Sequence, residues 1–181
     1  DRISHADYAI LNLEAPIVQN KISKIPKYGP HLYADKKTVD SLVYAGFDMV
    51  TLANNHILDY GEAGLNTTIE YLTKSNIEWV GVGKNIDDAY AIKYVKLGND
   101  CIAVINACEN EFSIATETSA GAAPIDVIRI YNKIQEAKKE ATCIIVIIHG
   151  GHELFQLPSI DMVKMYRFFI DIGASVVVNH H

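Results

Sequence analysis

Four short apolar runs in this chain each end on side chains able to hold a metal ion. Tyr8 to Leu11 ends on Asn12 and Glu14, and Phe47 to Leu52 on Asn54, Asn55 and His56. Cys143 to Ile148 ends on His149, followed by His152 and Glu153, and Ser175 to Val178 delivers His180 and His181. Such runs read as buried strands. Helical spacing separates them: Val39, Leu42 and Val43 lie on one face before Gly46, then come Leu65, Ile69 and Leu72, then Val127, Ile130, Tyr131 and Ile134. Val163, Tyr166 and Ile170 mark the apolar face of a helix from about Ile160 to Ile172. Strand, helix, strand in alternation predicts right-handed crossovers and a parallel sheet. The tips of parallel strands converge along one edge, where open sheets place ligands, so residues distant in sequence share one pocket.

Between these units, Gly98-Asn99-Asp100 separates Ile92 to Leu97 from Cys101 to Ala107. That is a hairpin signal and makes the sheet mixed. The second strand of the pair runs out on Glu109, Asn110 and Glu111. Gly81-Val82-Gly83-Lys84-Asn85 lacks the glycine spacing of a dinucleotide fingerprint and the Lys-Ser/Thr of a P-loop, and reads as a strand-end turn. Ser113 to Ala123, small and polar, reads as a mobile loop over the strand ends. Val18 to Ala34 is a longer loop, in which Lys24, Lys27 and His31 either face an anionic substrate or are solvated charges.

A chain of 181 residues, 49% hydrophobic, suits a single domain over 1–181 with a substantial core. Its formal net charge of -6, with no basic patch, argues against nucleic acid as a partner. The longest apolar run is far too short to span a bilayer, and no charged-then-apolar signal opens the chain. Both ends read as cut. Cys101, Cys108 and Cys143, odd in number and without C-x-x-C spacing, read as buried thiols.

Asn, Asn, His and Asp within Asn54 to Asp59 offer amide oxygens, an imidazole and a carboxylate to one small volume. These suit a divalent metal and a general acid. The alternative is structural: Asn54 and Asn55 make a turn and Asp59 caps the helix after Gly61. Taken with the other tips, mixed N and O ligands suit Zn, Mn, Fe or Mg, and two such ions a few ångströms apart activate water and stabilise a phosphoryl or tetrahedral transition state. A carboxylate would bridge the ions, amide and imidazole groups would complete each shell, and an unligated His would protonate the leaving group.

An ordered set of motifs then resembles a known family. Asn12-Leu13-Glu14-Ala15-Pro16, Ala53-Asn54-Asn55-His56 with Asp59 and Gly61, Gly81-Val82-Gly83, His149-Gly150-Gly151-His152-Glu153, and Gly173-Ala174 leading to His180-His181 resemble the bacterial capsule-synthesis family of CapA type, which includes poly-gamma-glutamate biosynthesis proteins. That family is similar to calcineurin-like metallophosphoesterases. The resemblance implies an α/β fold: a four-layer β-sandwich of mixed sheets flanked by helices, around a two-metal site. By position, Asn55 matches the ligand Asn of the phosphoesterase Asn-His motif, and His56, steadied by Asp59, matches the His that assists the leaving group. His149 matches the lone strand-end His ligand. His181 would open the terminal His-x-His, with His180 as the alternative, and Glu14 matches the second-motif carboxylate, with Asn12 behind it. Asn54, His152 and Glu153 are expected at the substrate. The family pattern also has a Gly-Asp strand ahead of Asn12 and a His two positions beyond His181, neither of which lies in these 181 residues.

The expected function is a metal-dependent hydrolase or transferase of capsule or surface-polymer production, with a phosphoester or an anionic polyglutamate as substrate, capsule synthase or export components as partners, and a cell-envelope or membrane-associated location. Unpaired cysteines sit uneasily with an outward-facing site. The alternative from another class is a non-catalytic accessory or scaffold subunit of a polymer synthase and exporter.

Overall fold

The computed structural model describes residues 3–19 and 22–181. After a 3-10 turn at Ile3–His5, β1 (Ile10–Asn12), β2 (Met49–Thr51) and β3 (Glu78–Val80) form a parallel sheet in the order β1-β2-β3. Two helices, α1 (Lys36–Ala45) and α2 (Gly61–Lys74), make the crossovers. The second sheet is mixed, in the order β5 (Lys93–Leu97), β6 (Asp100–Cys108), β8 (Cys143–His149), β9 (Val176–His180). Its β5-β6 pair is the expected antiparallel hairpin, while β6-β8 and β8-β9 are parallel. A two-stranded ribbon pairs β4 (Val82–Gly83) with β7 (Gly121–Ala122), and α3 (Ile86–Ala89), α4 (Val127–Ala137) and α5 (Ile160–Asp171) complete the described elements.

Side-chain alternation along the strands stacks the layers. On β2, Met49 faces the second sheet and joins Val80, Val95, Val104 and Ile147, whereas Val50 faces the helices with Leu42, Leu65 and Leu72. On β6 and β8, Ala103, Ile105, Val146 and Ile148 turn the other way, against Ile130 and Ile134 of α4 and Phe169 of α5. The result is helix, sheet, sheet, helix, the four-layer sandwich expected for a metallophosphoesterase-like fold. Each fully buried Leu, Ile or Phe contributes about 1.5–3 kcal/mol. Among the described residues no helix is long and apolar enough to cross a membrane.

Several local expectations change. On α1 the buried residues are Val39 and Leu42, and Val43, one position further round the helix, is half exposed; the helix ends at Gly46 (φ 86), whose N–H caps the Leu42 and Val43 carbonyls. The apolar face of α5 is Met165 and Phe169 with Tyr166, continued by Ile172 just past its end, not Ile170, which is 44% exposed. Residues 113–123 are no mobile loop: Ser113, Ala115 and residues 120–123 are buried, and Ala122 N donates to Ser113 O while Ala123 N donates to Gly81 O. Of the three free thiols only Cys108 is buried, where loss of solvent pushes its pKa well up; Cys101 and Cys143 are half-buried in adjacent strands.

Candidate functional site

The carboxyl ends of β1, β2, β6, β8 and β9 meet at one edge of the sandwich. Beyond β2 the chain is held on three sides: Leu52 N donates to Val80 O, Ala53 N to Asn106 Oδ1, and Leu58 N to Ser113 Oγ at 3.2 Å. Ser113 Oγ in turn donates to the Asn55 carbonyl at 2.9 Å. This bracing presents the Asn55 side chain toward His149 at the tip of β8. Asn55 Oδ1 lies 3.1 Å from His149 Nε2, and Glu14 Oε1 lies 3.6 Å from the same nitrogen. Ligand atoms around one ion at bond lengths near 2.1 Å stand about 3.0–3.4 Å apart. The Asn55–His149 separation falls in that range and the Glu14–His149 separation slightly beyond it, so a shared ion would draw the Glu14 carboxylate inward. Glu14, His149 and His181 each offer a ligand atom, all within 4.8 Å of one another.

The protonation of His149 suits that role. It is fully buried, and loss of solvent, followed by the neighbouring His180, His181 and His56, pushes its pKa down to about 3. A metal-binding imidazole must be neutral, and this one is. His149 Nδ1 lies 3.1 Å from His180 Nδ1, so with Nε2 bare for an ion, Nδ1–H donates to His180. Burial, then His181, also lowers the His180 pKa. Among the described residues, the buried His180 Nε2 has no hydrogen-bond partner.

His181, the better-matched of the two terminal histidines, reaches the Glu14–His149 cluster, and its Nε2 lies 2.6 Å from Glu109 Oε1. Glu109 Oε2 also accepts from Gly151 N at 3.2 Å, and a Cβ on Gly150 would stand 3.2 Å from Glu109 Cβ. The paired glycines thus make room for a carboxylate. Asn12 sits behind Glu14, donating to Glu14 Oε2 at 3.4 Å and accepting from Thr51 Oγ1 at 3.4 Å. Asn54, expected at the substrate, is fully buried; its Nδ2 donates to Leu13 O and its Oδ1 accepts from His56 N, so the amide ties the first two strand tips together. His152 and Glu153 are exposed and line a cleft beside the cluster together with Glu14 and His181.

Asp59 caps no helix: α2 starts after Tyr60, with no side-chain cap. Its Oδ2 accepts from His56 Nδ1 at 2.8 Å and from Leu32 N at 2.6 Å, and its Oδ1 pairs with Lys27. Lys27 Nζ is also 3.2 Å from His56 Nδ1 and 5.6 Å from the centre of the Phe112 ring. Of the three loop cations, Lys27 is thus the one buried at the site, while His31 Nε2 lies 2.8 Å from the Ile25 carbonyl. Glu109, Glu111 and Lys27 are the functional candidates that sequence spacing left unassigned. The available signal was their place at a strand tip or in a long loop.

The family model described as "Bacterial capsule synthesis protein PGA_cap" matches residues 1–181. The chain is 31% identical over 179 residues to the PGA biosynthesis protein CapA of Bacillus subtilis (strain 168), covering 97% of this chain and 47% of that one. It is 28% identical over 187 residues to the capsule biosynthesis protein CapA of Bacillus anthracis, covering 99% and 46%. The chain thus spans about half the length of these relatives. Among solved structures, it is similar to a Staphylococcus aureus protein assigned as a 5'-nucleotidase and solved with alpha-ketoglutarate (TM-score 0.58, 21% identity, 80% of this chain and 30% of that one). It is also similar to a hypothetical protein from Thermus thermophilus (TM-score 0.53, 15% identity, 98% and 57%). At these identities the likeness is one of fold.

Proposed function

Because the chain belongs to the family of bacterial capsule synthesis proteins, we propose that it is the metal-dependent hydrolase or transferase domain of a protein acting in capsular polymer production, on a phosphoester or on the anionic polymer itself. The observation that carries this reading is the convergence of Glu14 Oε1 and Asn55 Oδ1 on His149 Nε2, with His181 alongside and the His56–Asp59 pair next in the chain. Glu14, Asn55 and His149 would hold one ion; His181 with Glu109 would serve a second, and Asn12 and His180 would orient Glu14 and His149. A bound divalent ion would supply activated water and neutralise charge on a phosphoryl group. His56 acts as general acid: Asp59 holds the Nδ1 proton and steadies the imidazolium, so the proton on Nε2 goes to the leaving oxygen. Asn54 holds the backbone of His56, and His152 and Glu153 meet the substrate at the rim. Capsule synthase or export components are the partners this role requires, in the cell envelope.

The test is elemental analysis of the full-length protein, coupled to phosphomonoester and phosphodiester hydrolysis with and without added Mn or Zn. About two metal equivalents with metal-dependent turnover are expected of a two-metal site. No bound metal and no turnover would move the assignment to an accessory subunit of the synthase, in which the old site only stabilises the fold.

A further inference from the structure

A cleft of about 680 Å³ opens beside the metal cluster and shares Glu14 and His181 with it. The segment joining β8 to α5 supplies most of its lining. Leu154, Phe155 and Leu157 are 103%, 76% and 81% exposed, and all three line the cleft. Three large apolar side chains within four positions left in water, at the mouth of a polar centre, form a patch of the kind that marks binding sites. Leu154 also has φ 67, a left-handed conformation that a branched side chain rarely adopts and that tends to persist at ligand-binding segments. The charges are as telling. Glu14 and Glu153 line the cleft, and among the described residues neither lysine nor arginine does. With the proposed ions at Glu14 and His181 taken up by one phosphate, the rest of a polyanion would lie along the cleft beside Glu153 with no lysine or arginine to pair it. Tyr166 lines the same cleft, and its buried hydroxyl has no hydrogen-bond partner among the described residues, which leaves a donor for a ligand oxygen.

We propose that this cleft receives the alcohol portion of the substrate and that the alcohol is apolar: a phosphoester of a long-chain or aromatic alcohol, its phosphate at the metal cluster and its hydrocarbon against Leu154, Phe155 and Leu157. This rests on the phosphoester reading of the cluster, and it selects that substrate class over an anionic polymer. Phe155, edge-on to His152 at 6.0 Å between ring centres, sets the apolar wall next to the rim histidine.

The test is calorimetric titration of the full-length, Mn-loaded protein with methylphosphonate and hexylphosphonate, which are not hydrolysed. Hexylphosphonate should bind at least about tenfold more tightly, from the apolar area its five further methylenes bury. Phe155→Ser and Leu157→Ser, both at exposed positions, should each cut the ratio of the two affinities several-fold. Equal affinities in the unaltered protein, binding of neither phosphonate, or a ratio unmoved in both variants would overturn the proposal. A parallel hydrolysis assay on hexyl phosphate separates the two readings. No turnover with the preference intact removes the hydrolase and leaves the cleft assignment standing, whereas turnover without preference does the reverse.

Discussion

Glu111 Oε2 accepts a hydrogen bond from Asn55 Nδ2 at 3.1 Å, and that contact decides which end of the amide faces His149. An ionised carboxylate only accepts, so the amide nitrogen must turn to Glu111 and the oxygen to His149 Nε2, where the proposed ion would sit. Outer partners of this kind are worth about 10–100-fold in metal affinity. Glu111→Ala should weaken Mn binding by about that factor in a calorimetric titration, while Glu111→Gln, whose side-chain oxygen still accepts, should retain most of it. Equal affinity in all three proteins would show that Asn55 is oriented by something else.

In the proposed mechanism His56 gives up its Nε2 proton while Asp59 engages Nδ1; the same carboxylate contact would also suit a metal ligand, so the two roles are separated by experiment. His56→Ala should lower kcat by about 10²–10⁴-fold, the usual contribution of a general acid. Metal stoichiometry should not change. Turnover equal to that of the unaltered protein would remove the general-acid role, and loss of metal in the variant would make His56 a ligand.

The Lys27–Asp59 pair is almost wholly out of water, at 2% and 0% side-chain exposure. Removing one partner of a buried ion pair costs about 3–5 kcal/mol, because the remaining charge loses its compensation. Lys27→Met should therefore lower unfolding free energy by that order in urea denaturation. Combining it with Asp59→Asn, which removes the stranded charge, should recover a large part. A loss below about 1 kcal/mol, the range of solvated pairs, would place Lys27 in water instead.

What the sequence made legible was periodic or terminal. Apolar runs marked the strands, and polar residues directly after them marked Glu14, Asn55, His149 and His181. Lys27 was ambiguous because its loop has no period, and burial of its side chain depends on Asp59, which lies far along the chain, beyond β2. The ribbon of β4 and β7 was hidden for a similar reason: two-residue strands carry no alternation. Gly81 turns the chain directly after β3, as read, but its need for glycine also comes from packing. Its φ is 95, and a Cβ there would stand 2.0 Å from Asn106 Oδ1, the oxygen that accepts from Ala53 N at the start of the Asn54–Asp59 loop. The Asn55–Glu111 and His181–Glu109 contacts were out of reach because one-dimensional spacing places residues at strand tips but does not say which tips touch.

The metal-free protein should be acid-sensitive through His149. Its folded pKa of about 3 lies below the ordinary 6.5, so between those values the unfolded chain binds a proton that the folded one refuses. Stability then rises with pH across that window: the His149 contribution is fully present above about pH 6.5 and is lost as pH falls toward 3, at up to about 1.4 kcal/mol per pH unit. His180, also shifted down by burial and by His181, steepens the slope in the same direction. Chelator-treated protein should therefore show a falling urea midpoint between about pH 7 and pH 5, and His149→Gln, which keeps a polar side chain but has nothing to titrate, should flatten that dependence. A bound metal adds to the same sign, since protons compete for the imidazole, so metal affinity should fall over the same interval. A midpoint independent of pH in the chelated protein would mean that His149 is already solvated or charged, and the neutral, buried imidazole that the proposed metal site needs would be lost with it.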